Sequence, residues 1–315
     1  MSRIHEALKK AEQERAAGHA TEAVALPQPE PAPRFADWKP SAVGVVAVPV
    51  AEPVATNDGV SDYLRFDDLR ARCAHPEWHL DPNVNVFANP TLSTHGAEQF
   101  RTLRSRLYQL RGAQSLRTLL VTSSIPGEGK TFVAANLAQV IVRQPDRRAL
   151  IIDADLRCAR VHTVLGAPVA PGLTDYLRGE ADEMAVIQHG HEGNLCFIAG
   201  GNDVTNPSEL LSNGRLKALL DRLTPVFDWV ILDSPPCLPV ADANILADLC
   251  DGVLMVVRAG TTPGPTVQRA CQEMRGRNIV GVVLNAVQES HLYGSYYYQP
   301  YPYSYGRDSA KALDK

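Results

Sequence analysis

The stretch TSSIPGEGKT (122–131) begins within the last two residues of the apolar run RTLLVTS (117–123) and is the strongest indication of the fold. It nearly matches the phosphate-binding pattern GxxxxGK[ST], with Ser124 where the pattern has its first glycine. Gly127 and Gly129 allow backbone N–H groups to turn inward around phosphate oxygens. A helix that begins directly after the loop adds the positive end of its dipole. The alternative is a glycine-rich turn without a ligand, and the strand before and helix after argue against it.

The side chains that close this loop predict a bound nucleotide and a magnesium ion. Lys130 is placed to reach the outer phosphates of ATP, and the Thr131 hydroxyl to ligate Mg²⁺. The residues expected to contact the nucleotide run consecutively around the loop: Pro126, Gly127, Glu128, Gly129, Lys130, Thr131 and Phe132.

Regular spacing of apolar runs downstream of residue 86 predicts the fold class. Six runs have the character of buried strands: 117–123, 149–155, 195–200, 227–233, 252–259 and 279–285. Helical patterns precede or separate them: 95–111, 130–143, 207–223, 240–249 and 265–277. Continuously apolar strands that alternate with helices predict an α/β fold of the P-loop NTPase type, a mostly parallel sheet with helices on both faces. Ligands of such sheets bind beyond the carboxyl ends of the strands.

Three aspartates stand at strand ends where the nucleotide is expected. Asp153 and Asp155 end the run ALIIDAD, and Asp233 ends FDWVILD. A carboxylate in this position holds Mg²⁺ directly or through water. A single aspartate at a strand end is more often a turn former, but three beside one phosphate loop favour the metal environment.

The composition excludes several other classes of protein. A formal charge of −4 and a pI near 6.1 argue against a nucleic-acid-binding protein. The six cysteines form no CxxC pair, so a reducing cytosol is the default. The N-terminus is charged and lacks the apolar core of a signal peptide, and no run of about 18 apolar residues is present to span a membrane. We therefore expect a cytoplasmic protein.

The chain divides into four predicted segments. Residues 1–16 have apolar residues at helical spacing, either as a surface helix or as a docking helix for a partner. Residues 17–85 are rich in proline and alanine and predict an extended, disordered linker, with a short helix within 60–80 that cannot be placed. Residues 86–290 form the predicted catalytic domain, and 291–315 a tyrosine-rich, disordered tail.

Seven of the ten tyrosines lie in the stretch YGSYYYQPYPYSYGR (293–307). They are Tyr293, Tyr296, Tyr297, Tyr298, Tyr301, Tyr303 and Tyr305. Interspersed glycine and proline prevent a regular core element. The stretch is either a set of accessible phenols for modification or an aromatic low-complexity end.

Residues 90–305 resemble the cytoplasmic bacterial tyrosine kinases of capsule and exopolysaccharide systems, P-loop proteins unrelated in fold to eukaryotic protein kinases. The resemblance rests on a series of motifs: SSIPGEGKT, LIIDADLR with His162 following, NPSELL (206–211), ILDSPP with VADA after it, GVLMVVRAG, GVVLNAV (281–287) and the tyrosine-rich tail. Ala159 departs from the family, which commonly has proline there, and we expect only a local loop difference.

The resemblance implies an ATP-dependent protein-tyrosine autokinase. It assigns the catalytic set Lys130, Asp153, Asp155 and Asp233, with Thr131, Asp155 and Asp233 around Mg²⁺ and Asp153 accepting or orienting the tyrosine proton. Asn285 is expected to contact the adenine, although an asparagine that caps a turn at a strand end is nearly as frequent. The tail tyrosines are the implied phosphoacceptors.

The resemblance also implies partners. The family's ExxRxxR motif, found at the subunit interface of ring-shaped oligomers, appears as Glu98, Arg101 and Arg104; an ordinary Glu–Arg helix pair is the alternative. The chain resembles the split type, which a membrane-anchored polysaccharide co-polymerase recruits to the inner face of the plasma membrane and activates. A cognate tyrosine phosphatase would reverse the phosphorylation.

A positioning ATPase of the partition or cell-division type and a catalytically silent nucleotide-dependent scaffold are the rival functions. Positioning ATPases carry a signature lysine five residues before the loop lysine, where this chain has Ile125. The tyrosine-rich tail also differs from their membrane-targeting helix. Retention of Lys130, Thr131 and all three aspartates argues against the silent scaffold.

Overall fold

Seven strands form one sheet in the order β3–β4–β2–β5–β1–β6–β7 in the computed structural model, which describes residues 64–88, 95–190, 193–202 and 204–287. The strands are β1 (Thr118–Ser123), β2 (Ala149–Asp153), β3 (Ile187–His189), β4 (Leu195–Ile198), β5 (Trp229–Asp233), β6 (Gly252–Arg258) and β7 (Ile279–Asn285). All neighbours are parallel except β3 and β4, which are antiparallel. The predicted α/β class is confirmed.

Ten helices accompany the sheet in the described residues. They are α1 (Phe66–Arg72), α2 (His95–Ala113), α3 (Lys130–Val142), α4 (Val161–Leu165), α5 (Leu173–Arg178), α6 (Glu183–Val186), α7 (Pro207–Leu211), α8 (Arg215–Leu223), α9 (Asp242–Ala247) and α10 (Gly264–Glu273).

The sheet separates two hydrophobic cores. Alternate residues of β1 point to opposite faces, so Leu120 joins one core whereas Leu119 and Val121 join the other. Every residue of the central strands β1, β2 and β5 is buried. Strands covered on both faces must be apolar throughout, which explains why their runs do not alternate with polar residues.

The helix α3 lies in the second core, where α2 packs against it and it packs against the sheet. Residues Val133 to Ile141 are buried without interruption. This helix carries the phosphate loop at its N-terminus, so its position in the core fixes that loop relative to the strand ends.

The predicted linker 17–85 ends earlier than expected. Helix α1 buries Phe66 and Leu69 in the first core, and Val86 enters the second. Ala74 forms a parallel bridge with Gln188 of β3. The short helix expected within 60–80 is present as α1, but the disorder predicted for the rest of 64–85 was wrong. The few apolar side chains of this segment are buried well enough to offset the cost of ordering the chain. The N-terminal helix 1–16, the proline-rich part of the linker and the tail lie outside the described residues.

Other elements also differ from the sequence analysis, which did not predict the short helices α4, α5 and α6. The helical pattern at 207–223 is split into α7 and α8 by a turn in which Gly214 has φ 83°. The short strand β3 was missed, because three residues show too little periodicity to predict a strand. In addition, β2 ends at Asp153, so Asp155 lies in the turn that follows the strand.

Candidate nucleotide site

The loop between β1 and α3 depends on two glycines. Gly127 has φ 84° and Gly129, the residue before α3, has φ 93°. Residues other than glycine are strained at these positive φ values, in the left-handed region of the backbone. A Cβ on Gly129 would also collide with the side chain of Asn285. Backbone N–H groups at the start of α3 therefore face the space where the loop would receive phosphates.

Glu128 supports the loop from inside. Its side chain is only 2% exposed. One carboxylate oxygen accepts a hydrogen bond from the Ile125 N–H at 2.8 Å, and the other accepts one from the Thr262 hydroxyl at 2.6 Å. Arg258 donates to the Gly127 carbonyl at 3.2 Å. The carboxylate of Glu128 thus shapes the loop from below instead of pointing toward the nucleotide.

Asn285 closes the loop from the end of β7. Its Nδ2 donates to the Glu128 carbonyl at 2.9 Å. This is the turn-capping contact that is the alternative to an adenine contact for Asn285, and the adenine contact stays a prediction. The bond joins residues 157 positions apart in the chain, which sequence spacing alone does not reveal.

Lys130 and Asp155 form an ion pair inside the site. The Lys130 ammonium lies 2.8 Å from a carboxylate oxygen of Asp155, and both side chains are largely buried. Burial alone would lower the pKa of Lys130, but attraction to Asp233, and then to Asp155, outweighs it and raises the pKa. The lysine is therefore a fixed positive charge at the mouth of the loop.

Thr131 and Asp233 form a second pair beside the first. The Thr131 hydroxyl donates to a carboxylate oxygen of Asp233 at 2.6 Å. Burial raises the pKa of Asp233 to about 6, although Lys130 and the Thr131 hydroxyl favour its ionised form. The other carboxylate oxygen of Asp233 is buried without a hydrogen-bond partner.

Asp153 lies directly beside Asp233, because the two residues pair in the parallel register of β2 and β5. One of its carboxylate oxygens accepts a hydrogen bond from the Val161 N–H at 2.9 Å, and the other is buried without a partner. Burial, and then repulsion from Asp233, raises the pKa of Asp153 well above its usual value. Groups with such shifts in a phosphate-loop site are typical of functional carboxylates.

An ion-pair network that the sequence analysis missed lies next to the site. Arg157 contacts both carboxylate oxygens of the fully buried Asp242, at 2.7 and 3.1 Å. The Ser208 hydroxyl donates to the same carboxylate at 2.5 Å. Each partner comes from a different motif: LIIDADLR, NPSELL and VADA. The polar residues of these three motifs were the only sequence feature that could have indicated the network.

The predicted interface motif on α2 divides into two parts. Glu98 and Arg101 form an exposed ion pair. Arg104 turns away from them and donates to the Val140 carbonyl near the end of α3, at 2.6 Å. Two of the three side chains therefore remain on the exposed face, and the third connects α2 to α3.

The aspartates beside the loop suit a magnesium ion that is bound together with a nucleotide, more than a metal site made of protein ligands alone. Among the described residues, no three His, Cys, Asp or Glu side chains form a preassembled metal cluster. Mg²⁺ in nucleotide sites is usually held by one or two carboxylates, a hydroxyl and the phosphates themselves. The unpartnered oxygen of Asp233, the hydroxyl of Thr131 and the carboxylate of Asp155 fit that donor set.

The structure brings five of the predicted site residues together: Lys130, Thr131, Asp153, Asp155 and Asp233. Their roles stay predictions. The seven tail tyrosines lie outside the described residues. In the part of the chain that the structure covers, no helix combines the length and the apolar character needed to cross a bilayer.

Comparison with known proteins identifies the family. The chain is 34% identical over 216 residues to the tyrosine-protein kinase YwqD of Bacillus subtilis, a match that spans 68% of this chain and 91% of that protein. The chain belongs to the bacterial tyrosine-protein kinase family. It is also 36% identical over 211 residues to the tyrosine-protein kinase Etk of Escherichia coli K12, but that match spans only 29% of Etk.

The fold agrees with that of a solved bacterial tyrosine kinase. The kinase domain of Escherichia coli ETK superposes with a TM-score of 0.62 at 34% identity, over 71% of this chain and 87% of that domain. No protein-family model matches the chain. The predicted family and the predicted P-loop fold are confirmed.

Proposed function

We propose that this chain is an ATP-dependent protein-tyrosine autokinase that phosphorylates its own C-terminal tail. The observation that supports it most is the convergence of Lys130, Thr131 and three aspartates on one phosphate loop. Two of those aspartates keep an unpartnered carboxylate oxygen. Membership in the tyrosine kinase family supports the acceptor, since the tail carries seven phenols.

Binding of ATP exchanges partners within the site. The phosphates enter the cradle of backbone N–H groups at 126–131 and attract Lys130 away from Asp155. The Thr131 hydroxyl is likewise drawn from Asp233. When bound, Mg²⁺ neutralises charge on the phosphates, and Thr131, Asp155 and Asp233 are the residues that would hold it. The resting pairs thus keep the binding groups in place before the nucleotide arrives.

Asp153 serves as the base in the proposed transfer. A tail phenol attacks the γ-phosphorus of ATP, its proton passes to the unpartnered oxygen of Asp153, and ADP leaves with the bridging oxygen. A phenol has a pKa near 10 and is a poor nucleophile when neutral. The raised pKa of Asp153 suits this role, because a base works best when its pKa approaches the working pH.

The tail enters the site of a neighbouring copy in this proposal. The exposed Glu98–Arg101 pair on α2 supplies a contact surface for a ring of subunits. Each phosphate adds about −1.5 to −2 charges at pH 7, so phosphorylated tails repel one another and the ring dissociates. A cognate phosphatase would restore the ring, and the cycle would regulate polymerisation and export of a capsule or exopolysaccharide.

A membrane-anchored co-polymerase is the proposed activator. It would recruit the cytoplasmic chain to the inner face of the membrane, with residues 1–16 as the docking segment. Deletion of 1–16 should then abolish recruitment, while transfer in solution persists. Recruitment that survives the deletion would remove this docking site.

The central experiment is a transfer assay with the purified full chain. Incubation with ATP and Mg²⁺, with and without the cytoplasmic tail of the activator, should place phosphate on the peptide that contains 293–305. Asp153→Asn should abolish the transfer but retain nucleotide binding. Asp221→Asn, on an exposed face of α8, is the matched control. Nucleotide binding or hydrolysis without any tail phosphate would instead favour the scaffold or positioning function.

A further inference from the structure

An open groove of about 680 Å³ lies between α10 and the strand β7 at one end of the sheet. Its apolar lining comes from three neighbouring elements: Val257 of β6, Val267 and Cys271 of α10, and Val282 and Leu284 of β7. Leu284 lies beside Val257 in the parallel register of the two strands, so their side chains share one face of the sheet. Helix α10 covers this face incompletely, since only Ala270 of its ten residues is buried.

The two β7 side chains in the groove are unusually exposed. Three large hydrophobic side chains are exposed among the described residues, and Val282 at 51% and Leu284 at 61% are the most exposed of them. A single exposed hydrophobic residue is ordinary on a protein surface. Two on one strand, next to the apolar walls of a groove, form a continuous patch of the kind that marks an interaction site.

The outer edge of β7 is open to a further strand. In the part of the chain that the structure describes, β7 pairs with β6 alone. Its sequence IVGVVLN contains no charged residue and no proline, the residues that usually discourage pairing at a sheet edge. The irregularity of its register lies at its start, so the stretch 281–285 is a regular strand. Such an edge binds an extended segment through backbone hydrogen bonds.

The position of the chain end favours this protein's own tail as that segment. The described residues stop at 287, two positions after the end of β7, and residues 288–315 follow. Ala286 has φ 54°, in the left-handed region that alanine rarely adopts. Left-handed residues occur in the connections of β-hairpins, where the chain reverses. A segment tethered this close has an effective concentration in the mM range, which favours it over a second copy.

The sequence LYGSYYY (292–298) suits the groove. It has seven residues, as many as β7, and it lies before the first proline of the tail, Pro300. Tyrosine favours strands, and its ring buries a large apolar area. An edge strand tolerates a single glycine such as Gly294. Residues 286–291 would then form the connection, with a length within the common range.

We infer that residues 292–298 pair antiparallel with the free edge of β7 as an eighth strand and place tyrosine rings over Val282 and Leu284. Docking requires neither a nucleotide nor phosphoryl transfer, so it goes beyond the proposed function and can be measured separately. One consequence rests on the proposed function: while docked, the segment withholds its four phenols, Tyr293, Tyr296, Tyr297 and Tyr298, from transfer.

The test follows hydrogen exchange in the full chain without nucleotide, measured by mass spectrometry. After correction for intrinsic rates, peptides that cover 292–298 should exchange about tenfold more slowly than peptides that cover 303–315, because paired amides exchange only when the strand detaches. Equal corrected rates in the two regions overturn the inference. Loss of the protection on about tenfold dilution would indicate pairing with a second copy, and it also overturns the inference.

Three charge-matched variants locate the docking surface. Leu284→Glu and Val282→Glu each place a charge in the groove on a side chain that is already exposed, so the protection of 292–298 should be lost in both. Val169→Glu makes the same change at the third exposed hydrophobic residue, which lies outside the groove, and should retain the protection. Circular dichroism reports on the folding of each variant. Retained protection in both groove variants, or equal loss in all three, overturns the inference.

Discussion

Asp233 should destabilise the nucleotide-free protein, and replacing it by asparagine should stabilise the fold. Burial raises its pKa from 3.8 to about 6. Each difference of one in pKa corresponds to about 1.4 kcal/mol, so the ionised carboxylate costs up to about 3 kcal/mol of the free energy of unfolding at pH 7.5. Asparagine keeps a carbonyl oxygen for the Thr131 hydroxyl, and Lys130 keeps its ion pair with Asp155.

The raised pKa of Asp233 determines how its contribution to stability changes with pH. A carboxyl group with a raised pKa in the fold contributes its full stability below pH 3.8 and loses that contribution as the pH rises through about 6. Asp233→Asn should therefore raise the Tm at pH 7.5 by about 3–10 °C, since about 1–3 kcal/mol shifts the Tm of a fold this size by about 2–4 °C per kcal/mol. At pH 4 the difference between the two proteins should nearly vanish.

Thermal unfolding followed by circular dichroism, from pH 4 to pH 8 without nucleotide, measures this difference. Asp221→Asn on exposed α8 serves as the control and should change the Tm little at any pH. A wild-type protein more stable than the Asp233→Asn variant at pH 7.5 would refute the reasoning. So would a difference of equal size at pH 4 and pH 7.5, because it would not arise from ionisation.

Three further predictions concern the contacts that support the loop and the ion pair beside it. Glu128→Gln removes one of the two carboxylate acceptors that hold Ile125 and Thr262, and it should weaken ATP binding about tenfold, measured by calorimetry. Gly129→Ala should abolish ATP binding; adding Asn285→Ala removes the collision but not the backbone strain, so calorimetry should show only partial recovery. Asp242→Asn breaks the contact with Arg157 and should cost about 1–3 kcal/mol in urea unfolding, a range reduced because Arg157 is 40% exposed. A midpoint and slope in urea equal to wild type would contradict the last expectation.

The fold and the grouping of side chains around the phosphate loop were predictable because their signals are local. The run before Ser123 is buried on both faces, so it is apolar without alternation, and the GEGKT stretch encodes a turn and a helix start in consecutive positions. Asp153 and Asp233 were found for the same reason, since each ends such a run.

The remaining parts of the site depend on contacts between distant residues. Asn285 reaches Glu128 across the sheet edge, and Arg157 reaches Asp242 across two loops. Neither pair has a spacing that a helix or strand period predicts. Apart from its short helix, the order of residues 64–85 was missed because this segment is anchored mainly by long-range bonds, such as the one from Asn85 to Gln139, instead of a periodic apolar pattern.

The charges of the resting site explain why it should select a nucleotide that carries a cation. Three carboxylates, Asp153, Asp155 and Asp233, surround Lys130, and Arg157 and Arg160 also attract Asp155. Lys130 pairs with Asp155. The pKa values of Asp153 and Asp233 are raised, which reduces the negative charge of the site. A bare triphosphate would add repulsion, whereas a triphosphate with a divalent cation supplies the missing positive charge. The uncompensated negative charge of these carboxylates reduces the stability of the protein without nucleotide. The same charge therefore favours binding of the magnesium complex of ATP over free ATP.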